Sequence, residues 1–254
     1  MFLRAVLFYL LAFFFTFLLG GIQQAAGINS QLTALPQWGP GVAGLLMLLI
    51  FRKDGVKLNF KLKQVSPARG FGALLLPMFP AVLIFPVVWL RQESFSLQYN
   101  LSTPLLLLLG SLALGAVGEE IGWRGYLHTS LNRDLKPLAS SAIVGTLWAL
   151  WHFGFYQNGP VYVLLAVVAF IATSITMFAV LQDIDFNIWS ASLFHYGINL
   201  SSLFYLSVIN QASYMLLYAV AWVAVAAMSM VWTKQARRAG DHPGAGDSDL
   251  PGLA

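Results

Sequence analysis

The sequence predicts an all-α fold, a polytopic transmembrane helix bundle of about eight spans. Three observations carry that expectation. Of the 254 residues, 58% are hydrophobic and only 9% are charged, against about 25% charged in an ordinary soluble domain. Mean hydropathy is +0.73. The apolar residues fall in runs close to the ~20 residues that cross a bilayer core, separated by short polar breaks, so lipid is the solvent for most of the chain.

Taken in order, the runs place spans near residues 3–22, 36–51, 71–90, 101–127, 138–155, 161–181, 188–209 and 214–232. The second is short, with Pro36 and Pro40 at its start, and is expected to tilt or to begin with irregular backbone buried against its neighbours. Arg52, Lys53, Lys57, Lys61, Lys63 and Arg69 crowd one connection, which the positive-inside rule assigns to the cytoplasm. Counting from there puts both termini inside, and Arg4, Arg133, Lys136, Lys234, Arg237 and Arg238 then fall on the same side. A cleaved signal peptide is the alternative for the first run, since Arg4 precedes it and Ala25, Ala26 and Gly27 follow, but removing it breaks this parity. Residues 1–238 thus read as a single transmembrane domain. Residues 239–254, rich in Gly, Pro and Asp, read as a disordered polar tail.

The formal charge of +4 does not point to nucleic acid, because basic residues beside apolar spans set topology or meet anionic headgroups. Membrane lipid is the expected surrounding partner. Cysteine is absent, which removes disulfides, thiolate metal sites and a thiol nucleophile. Hydrolytic chemistry would have to come from His, Glu, Asp or Ser. Neither HExxH nor GxSxG nor a glycine-rich phosphate loop occurs.

Three spans carry polar residues that are costly in lipid. Only three glutamates occur in the chain, and two are adjacent, Glu119 and Glu120, on an otherwise apolar run. A charge at a helix centre costs about 2.5 kcal/mol or more and marks a functional site by default. Glu120 and Arg124 are four apart and share a helix face, so that pair is explained as a salt bridge; Glu119, rotated about 100° away, is not. The next span holds Trp148 and His152 among aromatics, where a lone histidine is more often a hydrogen-bonded core residue. The seventh holds His195 and Asn199, whose i,i+4 spacing puts imidazole and carboxamide on one face, with Gly197 between them to admit a close neighbour. Asp183 and Asp185 read as solvated or helix-capping, and His128 as an interfacial residue. On spans of ideal length, His152 lies about 20 Å along its helix, deeper than Glu119 and His195; tilt or a displaced fifth helix is needed to bring them together.

The string Glu119-Glu120-Ile-Gly-Trp-Arg124, followed by His152 and then His195 with Asn199, resembles the CAAX prenyl protease type 2 and bacteriocin-processing family of intramembrane peptidases. The family's EExxxR, FxxxH and HxxxN motifs occur here in order between about residues 101 and 202, with Trp148 where the family usually has Phe. The resemblance implies a polar catalytic cavity between helices, open to the cytoplasm. It also implies cleavage near the C-terminus of a hydrophobic or lipidated peptide at a prokaryotic cell membrane. Glu119, Glu120, His152, His195 and Asn199 are then the expected catalytic set, with Arg124 and Trp148 in support. Glu119 with His152 would activate water, and His195 with Asn199 would hold the oxyanion. In the metal-dependent version Glu119, His152 and His195 hold a zinc ion with one position open. A non-catalytic scaffold or immunity protein is the runner-up. A small proton-coupled transporter is the third reading, less favoured because no inverted repeat is visible. The sequence does not specify the oligomeric state.

Overall fold

The computed structural model describes residues 2–30, 32–91 and 104–240. Within these the chain folds into eight helices with no strand: α1 (Phe2–Ala25), α2 (Gly39–Ile50), α3 (Pro67–Leu90), α4 (Leu105–Leu131), α5 (Pro137–Trp151), α6 (Pro160–Leu181), α7 (Ile188–Ile209) and α8 (Ala212–Gly240). The first residues expected in the fourth span and the tail from 241 onward lie outside the described residues. Helices α1, α3, α4, α6 and α8 are long and apolar enough to cross a membrane. Phe2, Leu49, Leu90, Leu106 and Trp232 are among many large apolar side chains left facing outward, the surface an aqueous monomer avoids. The chain is an integral membrane helical bundle.

Three elements depart from ideal spans, each for a local reason. A 3₁₀ turn at Leu35–Trp38, started by Pro36, precedes α2, so the second span does begin irregularly. α3 starts earlier than expected, at Pro67, where the Ser66 hydroxyl accepts the Arg69 N–H, and it tightens to 3₁₀ at Leu76–Met78. α5 stops at Trp151, four residues short of the expected end, because His152 (φ −77°, ψ 64°) leaves the helix and 3₁₀ turns follow to Asn158.

Two apolar clusters fill the bundle, one from α1, α2, α4 and α5, the other from α3, α6, α7 and α8. Phe170 and Ile198 pack against both. Every residue from Gly118 to His128 is buried, so the lower half of α4 forms the bundle axis. α2 is pressed onto that axis: a side chain on Gly41 would strike the Gly118 backbone, and one on Gly122 would strike Pro40. Such glycine contacts let helix backbones approach closely in lipid.

The turn from α6 to α7 is sewn to the basic connection before α3. Asn59 donates to the Ile184 carbonyl at 2.9 Å and its own carbonyl accepts the Ile188 N–H at 2.8 Å. Asn187, fully buried, caps α7 by accepting the Ser190 N–H at 3.2 Å. Asp183 is solvated and pairs with Arg69 at 2.5 Å, and Asp185 supplies a left-handed turn residue, so Asn187 is the cap. His128 corrects its expectation: it is 1% exposed, in contact with Ser141 (2.9 Å) and Asn132 (3.1 Å), tying the end of α4 to the start of α5 rather than reaching an interface.

Candidate active site

The antiparallel α4–α5 hairpin sets the depth of the site. Glu119 stands twelve residues before the end of α4 at Leu131, and Trp148 eleven residues after the start of α5 at Pro137. At 1.5 Å per residue these positions are nearly level, and the Trp148 indole donates to Glu119 Oε2 at 2.9 Å. His195 reaches the same level because α7 begins inside the bundle, with Asn187, Ile188 and Ser190 all fully buried. The apparent mismatch of depths came from assuming that every span is full length.

Glu119 and Glu120 close the regular part of α4, and the next turn, Ile121–His128, is π-helical. Wide π turns occur mostly inside α-helices and are frequent at functional sites. Arg124 Nη1 meets Glu120 Oε1 at 2.8 Å, and both side chains are at most 1% exposed. The guanidinium also lies over the Trp148 ring, 4.3 Å from its centroid, a desolvated cation–π contact. The pair is incompletely satisfied: Glu120 Oε2 and Arg124 Nε and Nη2 are buried with no hydrogen-bond partner among the described residues.

His195 stands between the carboxylates. Its Nδ1 is 2.7 Å from Glu120 Oε1 and its Nε2 is 3.8 Å from Glu119 Oε2. Since a carboxylate oxygen accepts, Nδ1 carries a proton. His152 has the same polarity, because its Nδ1 is 2.8 Å from the Trp148 carbonyl, which can only accept. Trp148 lies against both imidazoles, with ring centroids 5.1 Å from His195 and 6.1 Å from His152. Asn199, one turn beyond His195, donates to the Leu112 carbonyl at 3.3 Å and fastens α7 to α4.

All five expected catalytic residues therefore lie on α4, α7 and the residue that ends α5, around Trp148 and the α4 backbone. What they can do chemically is hold a water against a carboxylate, with two imidazoles alongside. As for the zinc set, no three or more His, Asp or Glu side chains among the described residues are gathered closely enough to hold an ion. Glu119, His152 and His195 as they stand do not fit one.

One set of contacts left little signal in the sequence. Gln37 lies against Gly115 and Trp38 against Gly118, so that an added Cβ at either glycine would collide with them. The 3₁₀ turn before α2 is thus wedged onto α4 within one turn of Glu119. Its only trace was the pair of prolines.

Residues 101–201, the stretch that carries these side chains, match the Rce1-like family, type II CAAX prenyl endopeptidase. That stretch, less than half of the chain, is similar to the family. A CAAX prenyl protease 2 from Methanococcus maripaludis is 32% identical over 109 residues, 40% of each chain. Lysostaphin resistance protein A from Staphylococcus epidermidis is 25% identical over 151 residues, 57% of this chain. The similarity spans about two fifths of the length of these curated relatives, and α1 to α3 lie outside the family match.

Proposed function

We propose that the protein is an intramembrane endopeptidase that hydrolyses a peptide bond near the C-terminus of a hydrophobic or lipidated peptide, using water activated by Glu119. The observation that carries this reading is Glu119 itself: a carboxylate 1% exposed, held through Oε2 by Trp148 and facing a histidine whose other nitrogen is anchored on Glu120. Among the described residues, Oε1 has no hydrogen bond. Water there gives its proton to Glu119 as its oxygen adds to the scissile carbonyl; the carboxyl then passes the proton to the leaving nitrogen as the C–N bond breaks. His195 and His152 flank that water. Glu120 with Arg124 holds the imidazole and offsets charge. The family match supports the reaction class, and the archaeal relative's name supports a prenylated C-terminal peptide as substrate class.

The test uses purified protein in lipid nanodiscs and a farnesylated peptide ending in a Cys-aliphatic-aliphatic-X sequence. Mass spectrometry should find the shortened peptide with wild-type protein and not with Glu119→Gln. Intact peptide in both samples counts against the substrate class, and equal cleavage in both counts against the base. A second reading, resistance or scaffolding without cleavage, draws on the staphylococcal relative, whose similarity extends over more of this chain. It requires Glu119→Gln to retain the cellular phenotype of wild type.

A further inference from the structure

We infer that Trp148 is a positioning residue, whose indole N–H holds one oxygen of Glu119 and so presents the other to the reacting water. The inference rests on the reading of Glu119 as the base. A glutamate's terminal torsion is broad and roughly two-fold, so an untethered carboxylate would spread its oxygens over many directions. Here Nε1 of Trp148 fixes Oε2 at 2.9 Å, and the torsion is set.

The tether is only as good as the ring that carries it, and that ring is held from several directions. The Arg124 guanidinium covers one face at 4.3 Å. Phe170 and His195 meet it edge-on, with centroids 4.6 and 5.1 Å away and interplanar angles of 64° in both cases. Trp148 is 2% exposed, so no bulk water competes for the N–H. Its backbone carbonyl accepts from His152 Nδ1 at 2.8 Å. One residue thereby orients the carboxylate through its side chain and an imidazole through its main chain. The guanidinium that steadies the indole is the same one paired to Glu120, which couples the two glutamates through the ring.

Shape and donor can be separated. Trp148→Phe keeps an aromatic ring and removes the N–H; replacement by benzothienylalanine, introduced as a non-natural residue, keeps the bicyclic shape and removes only the donor. In the farnesyl-peptide assay both should lower kcat by about 10-fold or more, the scale of a misoriented catalytic group, with KM within about two-fold of wild type. Ultraviolet resonance Raman difference spectra of wild type against Trp148→Phe, which need no substrate, should show a strongly hydrogen-bonded indole that weakens in Glu119→Gln. Wild-type kcat in the benzothienylalanine protein, or a Raman difference with no hydrogen-bonded indole, overturns the proposal. An active Glu119→Gln protein would instead sink the assignment of the base, leaving the Raman result to judge the contact.

Discussion

His195 Nδ1 lies 2.7 Å from Glu120 Oε1, the same oxygen that Arg124 Nη1 meets at 2.8 Å. One carboxylate oxygen therefore holds an imidazole from α7 and a guanidinium from its own helix. Glu120→Gln leaves one buried amide oxygen to serve both groups and Arg124 without its paired carboxylate. Breaking a buried pair by removing one partner costs about 3–5 kcal/mol. The expected outcome is a large loss of thermal stability and abundance. Glu120→Gln with Arg124→Gln should recover part of that stability, measured by thermal unfolding in the same detergent.

Glu119→Gln should behave in the opposite way. The amide keeps the size of the side chain and can still accept the Trp148 N–H on its oxygen, so unfolding temperature should change little. It cannot take a proton, and turnover should fall by about 10² or more, the lower range for a general base. Wild-type turnover in this variant, measured on the farnesyl peptide, would remove Glu119 from the mechanism.

The two glutamates, the His195–Asn199 spacing and the eight apolar runs were legible because lipid makes each polar residue expensive and each crossing a run of apolar residues. The tether from Trp148 to Glu119 was not. A tryptophan in an aromatic-rich span looks the same in sequence whether its N–H is used or not. The π-helical turn at Ile121–His128 was also hidden, because the expected reading assumed a regular α-helix through Glu120 and Arg124, and the ion pair forms at that i,i+4 spacing regardless. His152 was misplaced in depth because α5 is short and α7 starts within the bundle.

Glycine positions offer a matched pair for the packing. A Cβ on Gly197 would strike the Leu74 carbonyl and sit 2.6 Å from Pro77, whereas one on Gly110 meets nothing within 4 Å. Alanine is favoured over glycine in a helix by up to about 1 kcal/mol, so Gly110→Ala should leave thermal stability unchanged or raised. Gly197→Ala should lower it, because α3 must move away from α7, and turnover should fall as His195, two residues away, shifts. Equal behaviour of the two variants would contradict this account of the α3–α7 contact.

The orientation proposed from charge has its own check. The connection bearing Arg52, Lys53, Lys57, Lys61 and Lys63 is expected in the cytoplasm, and an even number of crossings then puts Ala254 there too. A C-terminal reporter should be active only as a cytoplasmic fusion. Activity on the far side would reduce the number of crossings by one.

Metal dependence is separable from every residue assignment above. Both histidines point Nδ1–H at an acceptor and leave Nε2 without a hydrogen bond among the described residues, a polarity also found in metal-binding histidines. A zinc site, however, needs three ligands at about 2 Å from one point, and Glu119, His152 and His195 are not gathered to that degree. Holding an ion would draw Glu119 toward the two Nε2 atoms and strain the bond from Trp148 that fixes it. Activity is therefore expected to survive exhaustive chelation, with no stoichiometric metal in elemental analysis of the active protein. Loss on chelation with recovery on a specific divalent ion would show that the three side chains rearrange around a metal. In that case Trp148→Phe, by releasing Glu119, should raise metal affinity rather than lower it, and titration calorimetry of the two proteins would decide between these opposite signs.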